Sequence, residues 1–268
     1  MTDPSFYTRE LGAHGEERFF ASESTRGPWS NDHQHAGPPA GLLARAIERA
    51  GPEAQAMLVA RMTLELLRPI PIAAPLEVET ELLSAGRRVD RIAAVLRSGD
   101  EQLIVAIGLR MRVRELDLPI VSHDDLARIR PLEQSRAWEF PFFQHERGYH
   151  SAMEVRIAAG EYGRGNMAAW IRPRIPLLVE EPTSPLQRVM ICADAGHGVG
   201  SALDTREFGF INPDLSVHLH RLPSDEWICM DARTFTEPLG IGLCRTRLLD
   251  RRGEFGVAMQ TQLLTRNP

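Results

Sequence analysis

The 268-residue sequence has few cysteines, no surplus of basic charge and no long apolar run. Its cysteines, Cys192, Cys229 and Cys244, lie far apart within apolar stretches and form no CxxC pair. This pattern is typical of reduced core cysteines, so we expect a cytoplasmic protein without a disulfide framework. The net charge of -5 disfavours nucleic acid and anionic membrane as partners, because both are bound by basic surfaces.

Several other signals are also missing. No apolar run approaches the roughly 18 residues that a membrane-spanning helix needs, and the opening MTDPSFYTREL lacks the basic and apolar regions of a secretory signal. The sequence has no GxSxG nucleophile elbow, no GxxxxGK[ST] loop and no complete GxGxxG. We therefore predict a soluble protein that acts on small molecules or proteins without a serine acyl-enzyme.

The apolar pattern predicts one long helix followed by four strands, and it does so twice. Proline at the first turn and apolar residues at helical spacing favour a helix that ends near Ala50. Strands are expected at 57–68, 76–84, 89–98 and 102–113. In the second half we expect a helix over 185–203, then strands at 215–221, 227–235, 242–250 and 255–265.

The spacing of equivalent arginines supports an internal duplication. Arg68, at the end of a predicted strand, precedes Arg112 by 44 positions, and Arg221 precedes Arg266 by 45. The agreement indicates two repeats of about 120 residues. Each would wrap one helix in an antiparallel sheet, and the two sheets would join edge to edge into one continuous sheet. The predicted fold class is therefore α+β.

The stretch between the repeats has no sustained period. Residues 115–148 mix acidic, basic and aromatic side chains, and we interpret them as a connector. The predicted domains are thus a first unit over 1–114 and a second unit over 149–268.

A single acid marks the predicted second helix. Asp194 lies in an apolar stretch that breaks at a cluster of glycines and continues into a strand with alternating polar residues. An acid on an apolar helix face loses hydration, which raises its pKa unless a partner compensates. Asp194 is therefore a candidate site residue. The alternative is an acid that only hydrogen-bonds the glycine turn after it.

Three segments resemble the double-hotdog proteins of the acyl-CoA thioesterase II type: HQHAGPPAGLLARAIERA, FINPDLSVHLHRLPSDEWICMDART and VAMQTQLLTR. The sharpest marks are the strand ending in HLHR, the Glu226–Trp227 pair and the closing strand with Gln260. The resemblance covers nearly the whole chain. It implies a double-hotdog fold, an acyl-CoA substrate, no metal or other cofactor, and assembly into a homodimer or higher homo-oligomer.

The resemblance also implies catalytic residues. The family pattern is an Asp on the second-half helix, a small polar residue at the start of the next strand and a Gln on the last strand, all bonded to one water. Asp194 matches the Asp and Gln260 the Gln, while Asn212 stands where the family usually has a hydroxyl residue. Gln262, on the same strand face, is an alternative to Gln260. Asp194 would then be the general base, and the amides would hold the water.

The turn before the first helix is the predicted substrate-binding element. Backbone N–H groups at a helix N-terminus can stabilise a thioester oxygen as it becomes negative, and His35 and Gly37 border such a turn. The alternative is that this turn only starts the helix. At the first-half positions equivalent to Asp194 and Gln260 stand Gly41 and Ile107, so we expect one site per chain, at the seam between the halves.

Other chemistries are disfavoured. His33 with His35, and His218 with His220, could ligate a metal, but neither pair has a Cys or acid cluster at ligand spacing.

The leading hypothesis is an acyl-CoA thioesterase that yields a free acid and CoA. The alternative, which the departure at Asn212 keeps open, is a non-catalytic acyl-thioester binding protein or a specialised biosynthetic hotdog enzyme. Hydration is disfavoured because Phe210 and Leu215 occupy the acid and histidine positions of a hotdog hydratase signature.

Overall fold

A computed structural model of the protein describes residues 3–51, 57–119, 121 and 126–267. The first part of the chain contains β1 (Tyr7–Leu11), β2 (Glu17–Ala21), α1 (Gly37–Arg49), β3 (Met57–Leu66), β4 (Glu77–Ser84), β5 (Val89–Ser98) and β6 (Glu101–Arg112). The second part contains β7 (Arg136–Trp138), β8 (Met153–Glu161), β9 (Asn166–Pro173), α2 (Pro185–Ala193), α3 (Gly196–Val199), β10 (Phe208–Ile211), β11 (Asp214–Leu219), β12 (Ile228–Glu237), β13 (Ile241–Asp250) and β14 (Gly253–Arg266).

The two halves share one antiparallel sheet. Within the described residues its strand order is β4-β5-β6-β3-β11-β14-β13-β12-β9-β8-β7, with β10 also paired to β14, while β1 and β2 form a separate hairpin. The halves join where β3 meets β11, with Leu64 opposite Leu215. The predicted continuous sheet and the α+β double-hotdog fold class are therefore confirmed.

The two long helices pack against each other and against the sheet, and they share one hydrophobic core with it. Alternate residues of β5, such as Ile92, Ala94 and Leu96, are buried, as the two-residue period of a strand requires. The predicted core cysteines are confirmed, since all three are free and buried. In the described part of the chain no helix is both long enough and apolar enough to cross a membrane.

The second helix is shorter than predicted. Instead of running through 185–203, α2 ends at Ala193 and α3 begins at Gly196. The cause is a tight turn at Asp194, where the Ala195 N–H donates to the Cys192 carbonyl at 3.0 Å. The turn ends the regular helix and places Asp194 at its C-terminal end.

The stretch predicted as a connector packs against the second half. β7 pairs with β8, and Leu132 contributes to a small apolar cluster that includes Trp170 and Trp227. Residues 120 and 122–125 of this stretch lie outside the described residues, as do 1, 2 and 268. The division into 1–114, 115–148 and 149–268 stays a prediction.

Candidate active site

Asp194 is the centre of a buried polar cluster. Only 2% of the residue is exposed. Its Oδ1 accepts a hydrogen bond from Asn212 Nδ2 at 2.9 Å and lies 3.3 Å from Gln260 Nε2, which also donates to the Asp194 carbonyl at 3.1 Å. Its Oδ2 lies 3.0 Å from His35 Nδ1. The structure thus brings together all three predicted catalytic residues and the side chain of His35.

Four separate elements supply these side chains. Asp194 ends α2, Asn212 lies between β10 and β11, Gln260 lies on β14, and His35 precedes α1. His35 is the contribution of the first half, for which the sequence predicted no matching polar group. The cluster therefore lies at the junction of the two halves, and both halves provide polar atoms to it.

Two glycines permit the close approach of these elements. A Cβ atom on Gly37 would lie 2.4 Å from the Ile191 carbonyl oxygen on α2, and a Cβ on Gly196 would lie 2.9 Å from Gln260 Oε1. Neither position can hold a larger residue without moving backbone or site atoms. Gly196, the first glycine after Asp194, therefore allows the chain to pack closely against Gln260 of β14.

His35 is held firmly against its neighbours. Its ring stacks on Tyr149, with centroids 3.8 Å apart and planes 3° from parallel, and the Tyr149 hydroxyl donates to the Ile191 carbonyl at 2.9 Å. Burial lowers the pKa of His35 below its usual value, although the Asp194 carboxylate opposes that shift. The imidazole is therefore neutral at physiological pH.

The predicted substrate-binding turn is partly engaged in hydrogen bonds. The His35 N–H donates to the Thr25 carbonyl at 2.7 Å. The Gly37 backbone N–H donates to His35 Nδ1 at 3.1 Å. Of these residues, His35 lines the cavity described below, together with Ala36.

His197 belongs to the same polar cluster, although the sequence argument did not single it out between two of the glycines after Asp194. Its backbone N–H donates to Gln260 Oε1 at 3.2 Å, and its Nδ1 lies 3.3 Å from Gln260 Nε2. Its ring lies nearly perpendicular to that of Phe210, with centroids 4.8 Å apart. Burial, which outweighs the Asp194 charge, lowers the pKa of His197 to about 4. The ring is therefore neutral and can accept a hydrogen bond from the Gln260 amide.

Gln262 does not share these contacts. It faces the same side of β14 and is buried, but its Oε1 has no hydrogen-bond partner, and it lines a much smaller cavity on another side of His197. In the structure Gln260, rather than Gln262, lies against Asp194.

A cavity of about 380 Å³ opens beside Asp194. Its aromatic wall comes from both halves and from the predicted connector: Trp29, Phe140, Phe142, Phe143 and Tyr149. Trp29 and Phe142 lie nearly parallel, with ring centroids 5.9 Å apart. The connector therefore helps to enclose the cavity, which the sequence did not indicate.

No group of three or more His, Cys, Asp or Glu side chains in the described residues could hold a metal ion. His218 and His220 lie at exposed positions on or beside β11.

Two domain families match the chain. The acyl-CoA thioesterase N-terminal domain matches residues 25–111, and the acyl-CoA thioesterase C-terminal domain matches residues 127–265. Together they cover most of the sequence, including His35, Asp194, Asn212 and Gln260. No curated protein matches the sequence significantly.

Solved structures share the fold at low sequence identity. A protein assigned as a thioesterase II from Thermobifida fusca is 14% identical, with a TM-score of 0.77 over 96% of this chain and 95% of its own. A conserved protein with a hot dog fold from Alicyclobacillus acidocaldarius is 14% identical, with a TM-score of 0.70 over 97% and 96%. An acyl-CoA thioesterase II from Mycobacterium marinum is 16% identical, with a TM-score of 0.67 over 97% and 95%.

Proposed function

Because the chain belongs to the acyl-CoA thioesterase family, we propose that it hydrolyses an acyl-CoA thioester to a carboxylic acid and free CoA, with Asp194 as the general base. The observation that carries the proposal is the setting of Asp194. A buried carboxylate, hydrogen-bonded by two amide side chains and contacted by the His35 imidazole, borders an apolar cavity at the junction of the two halves.

The proposed step needs only water and the thioester. As the water oxygen bonds to the thioester carbon, Asp194 accepts a proton from the water, an effect worth roughly 100- to 10,000-fold in rate. Collapse of the tetrahedral intermediate breaks the carbon–sulfur bond. The proton on Asp194 then passes to the departing thiolate, which leaves as CoA and regenerates the carboxylate.

The amides have a different role from the one that the resemblance implies. Asn212 and Gln260 donate to Asp194 itself, rather than only to a water. We infer that they fix the carboxylate and compensate its burial, because a buried charge is costly unless N–H groups satisfy it. One lone pair of Oδ2 beside His35 would then remain for the attacking water.

The cavity wall supports an acyl group as ligand. Aromatic side chains bury apolar surface well, and five of them line the cavity. In this proposal the acyl group lies among Trp29, Phe140 and Phe142. The N-terminus of α1, beside the cavity-lining Ala36, would stabilise the thioester oxygen as it becomes negative.

One observation favours the alternative function. Asn212 replaces the usual hydroxyl residue of the family and occupies an Asp194 oxygen at 2.9 Å. An Asp194 carboxylate that is hydrogen-bonded to an amide in this way suits a protein that binds an acyl thioester without hydrolysing it, or a biosynthetic enzyme with another reaction.

A panel of acyl-CoAs of graded length tests the proposed function. We expect free thiol to be released from at least one of them, with an equal amount of acid. The measurement is thiol release by a colorimetric reagent, with binding followed by calorimetry. Micromolar binding of an acyl-CoA without thiol release would instead establish the binding protein.

We also propose that a second copy of the chain covers the outer face of β12, β13 and β14. Four neighbouring side chains on this face are apolar and exposed: Phe235, Ile241, Leu243 and Leu263. Contiguous apolar patches of this kind commonly mark association sites. Light scattering at micromolar concentration should give a particle mass that is a multiple of 30.0 kDa. Ile241→Lys should lower that mass. A 30.0 kDa monomer for the wild-type protein would contradict the proposal.

A further inference from the structure

Phe210 lies behind the aromatic wall of the cavity. It is a buried residue of β10, opposite Leu264 of β14, and it does not line the cavity itself. Its ring contacts three rings that do. It stands nearly perpendicular to those of Trp29, Phe142 and His197, with centroid distances of 5.0, 6.4 and 4.8 Å. Phe210 therefore supports the wall from the side that faces away from the cavity.

The smaller cavity beside His197 lies on the other side of Phe210. Its volume is about 10 Å³, close to the least that one water molecule needs. Phe210 and His197 both line it, and His197 also lines the larger cavity. The two side chains therefore form a partition between the cavities.

The two cavities differ in their chemistry. The larger one has an aromatic wall. The smaller one is lined by Gln262, whose buried Oε1 has no hydrogen-bond partner. A hydrocarbon chain cannot donate a hydrogen bond to such an atom, and a buried polar atom without a partner is costly. The partition therefore keeps an apolar ligand away from Gln262.

We propose that Phe210 sets the longest acyl chain that the cavity accepts. This inference rests on the proposed function, which places the acyl group among Trp29, Phe140 and Phe142. Two of these rings, Trp29 and Phe142, are the ones that Phe210 supports. A chain of increasing length therefore meets this wall, and a chain beyond the limit has to displace Phe210.

The packing of Phe210 makes the limit a firm one. Its backbone is fixed by the pairing of β10 with β14, and its ring is held edge-on by three other rings. The smaller cavity is far too small to receive a displaced phenyl ring. Because protein interiors are close-packed, moving the ring would disturb several neighbours at once. The limit is therefore built into the free protein.

A shorter side chain at position 210 should extend the range of acyl chains. Phe210→Ala leaves apolar space beside Trp29 and Phe142 that additional methylenes can fill. The relevant ratio compares kcat/KM for a chain two carbons longer than the wild-type optimum with kcat/KM for that optimum. This ratio should rise by roughly tenfold or more, since one methylene in an apolar pocket is worth about that factor. Thiol release from straight-chain acyl-CoAs in steps of two carbons measures it.

Phe210→Leu should raise the same ratio by a smaller factor, because Leu fills part of the space of the ring. It also keeps the test possible if Phe210→Ala does not fold, since it retains more of the buried apolar volume. Thermal unfolding of each variant shows whether it is folded.

Phe19→Ala is the control for the loss of a buried ring. Phe19 lies on β2, packs against Arg45 and lines neither cavity. Its replacement should lower the unfolding temperature but keep the wild-type chain-length profile. An equal change of profile in Phe19→Ala would overturn the inference, because the change would then follow general loosening of the core. An unchanged profile in the folded Phe210 variants would overturn it as well.

Calorimetric binding of the same acyl-CoAs separates this inference from the proposed hydrolysis. Affinity for the wild-type protein should rise with chain length up to a limit and then fall, and Phe210→Leu should move that limit to a longer chain. If the limit moves but no acyl-CoA releases thiol, the hydrolase proposal fails and the role of Phe210 stands. If thiol is released but the limit is the same in the Phe210 variants, the role of Phe210 fails and the hydrolase proposal stands.

Discussion

Replacing Asp194 by Asn should abolish most of kcat and leave KM nearly unchanged. The Asn amide is close in shape to the carboxylate but cannot accept the proton of the attacking water. Because that interaction forms chiefly in the transition state, its loss lowers kcat rather than substrate affinity. The expected decrease is roughly 100- to 10,000-fold. Steady-state thiol release from the best acyl-CoA, with thermal unfolding to check the fold, measures it.

Asp204→Asn is the matched control for this change. Asp204 lies ten residues farther along the chain, carries an exposed carboxylate and pairs with Arg206 on the surface. Its replacement should leave kcat within about twofold, since surface substitutions away from special features have small effects. Full activity of Asp194→Asn would assign the chemistry to another residue.

Gln260→Ala should slow hydrolysis by roughly one to three orders of magnitude while acyl-CoA binds almost as before. The Gln260 amide donates to Asp194 and accepts from the His197 backbone N–H. Its removal therefore takes away a hydrogen bond that fixes the Asp194 carboxylate and leaves buried polar groups unpaired. About 1 to 4 kcal/mol of transition-state stabilisation is at stake. Rate measurements and calorimetric binding on the same preparation separate the two effects.

Gln262→Ala gives the comparison for Gln260→Ala. It removes the same side chain from the same face of β14, two residues on, where no contact with Asp194 is made. We expect a loss of less than tenfold in kcat. A loss as large as that of Gln260→Ala would assign the catalytic amide to the other residue.

The fold was accessible from the sequence because its signals are local and repeated. Strand periods, turn residues and the matched spacing of Arg68–Arg112 and Arg221–Arg266 all describe short segments, and duplication doubles each signal. The pairing of β3 with β11 then follows from the need of two sheets to cover their edges. The end of α2 was misjudged because the tight turn at Asp194 carries no helix-breaking residue itself.

The candidate site was only partly accessible. Asp194 could be found because an acid is conspicuous in an apolar segment, and the family resemblance supplied Asn212 and Gln260. The contact of the His35 side chain with Asp194 could not be found, since it depends on how closely α1 packs against α2 at Gly37. Phe140, Phe142 and Phe143, which help to enclose the cavity, lie in a segment with neither helical nor strand periodicity. The local sequence therefore does not indicate where they pack.

The most direct test of the account is a single turnover in H₂¹⁸O, with the protein in excess over an acyl-CoA that it hydrolyses. Direct attack by a water that Asp194 activates predicts one equivalent of CoA and an acid that carries ¹⁸O from the first turnover. An acid that carries only ¹⁶O in the first turnover would show that its oxygen came from the protein through a covalent intermediate. That result, or the absence of acid with every acyl-CoA, would contradict the account.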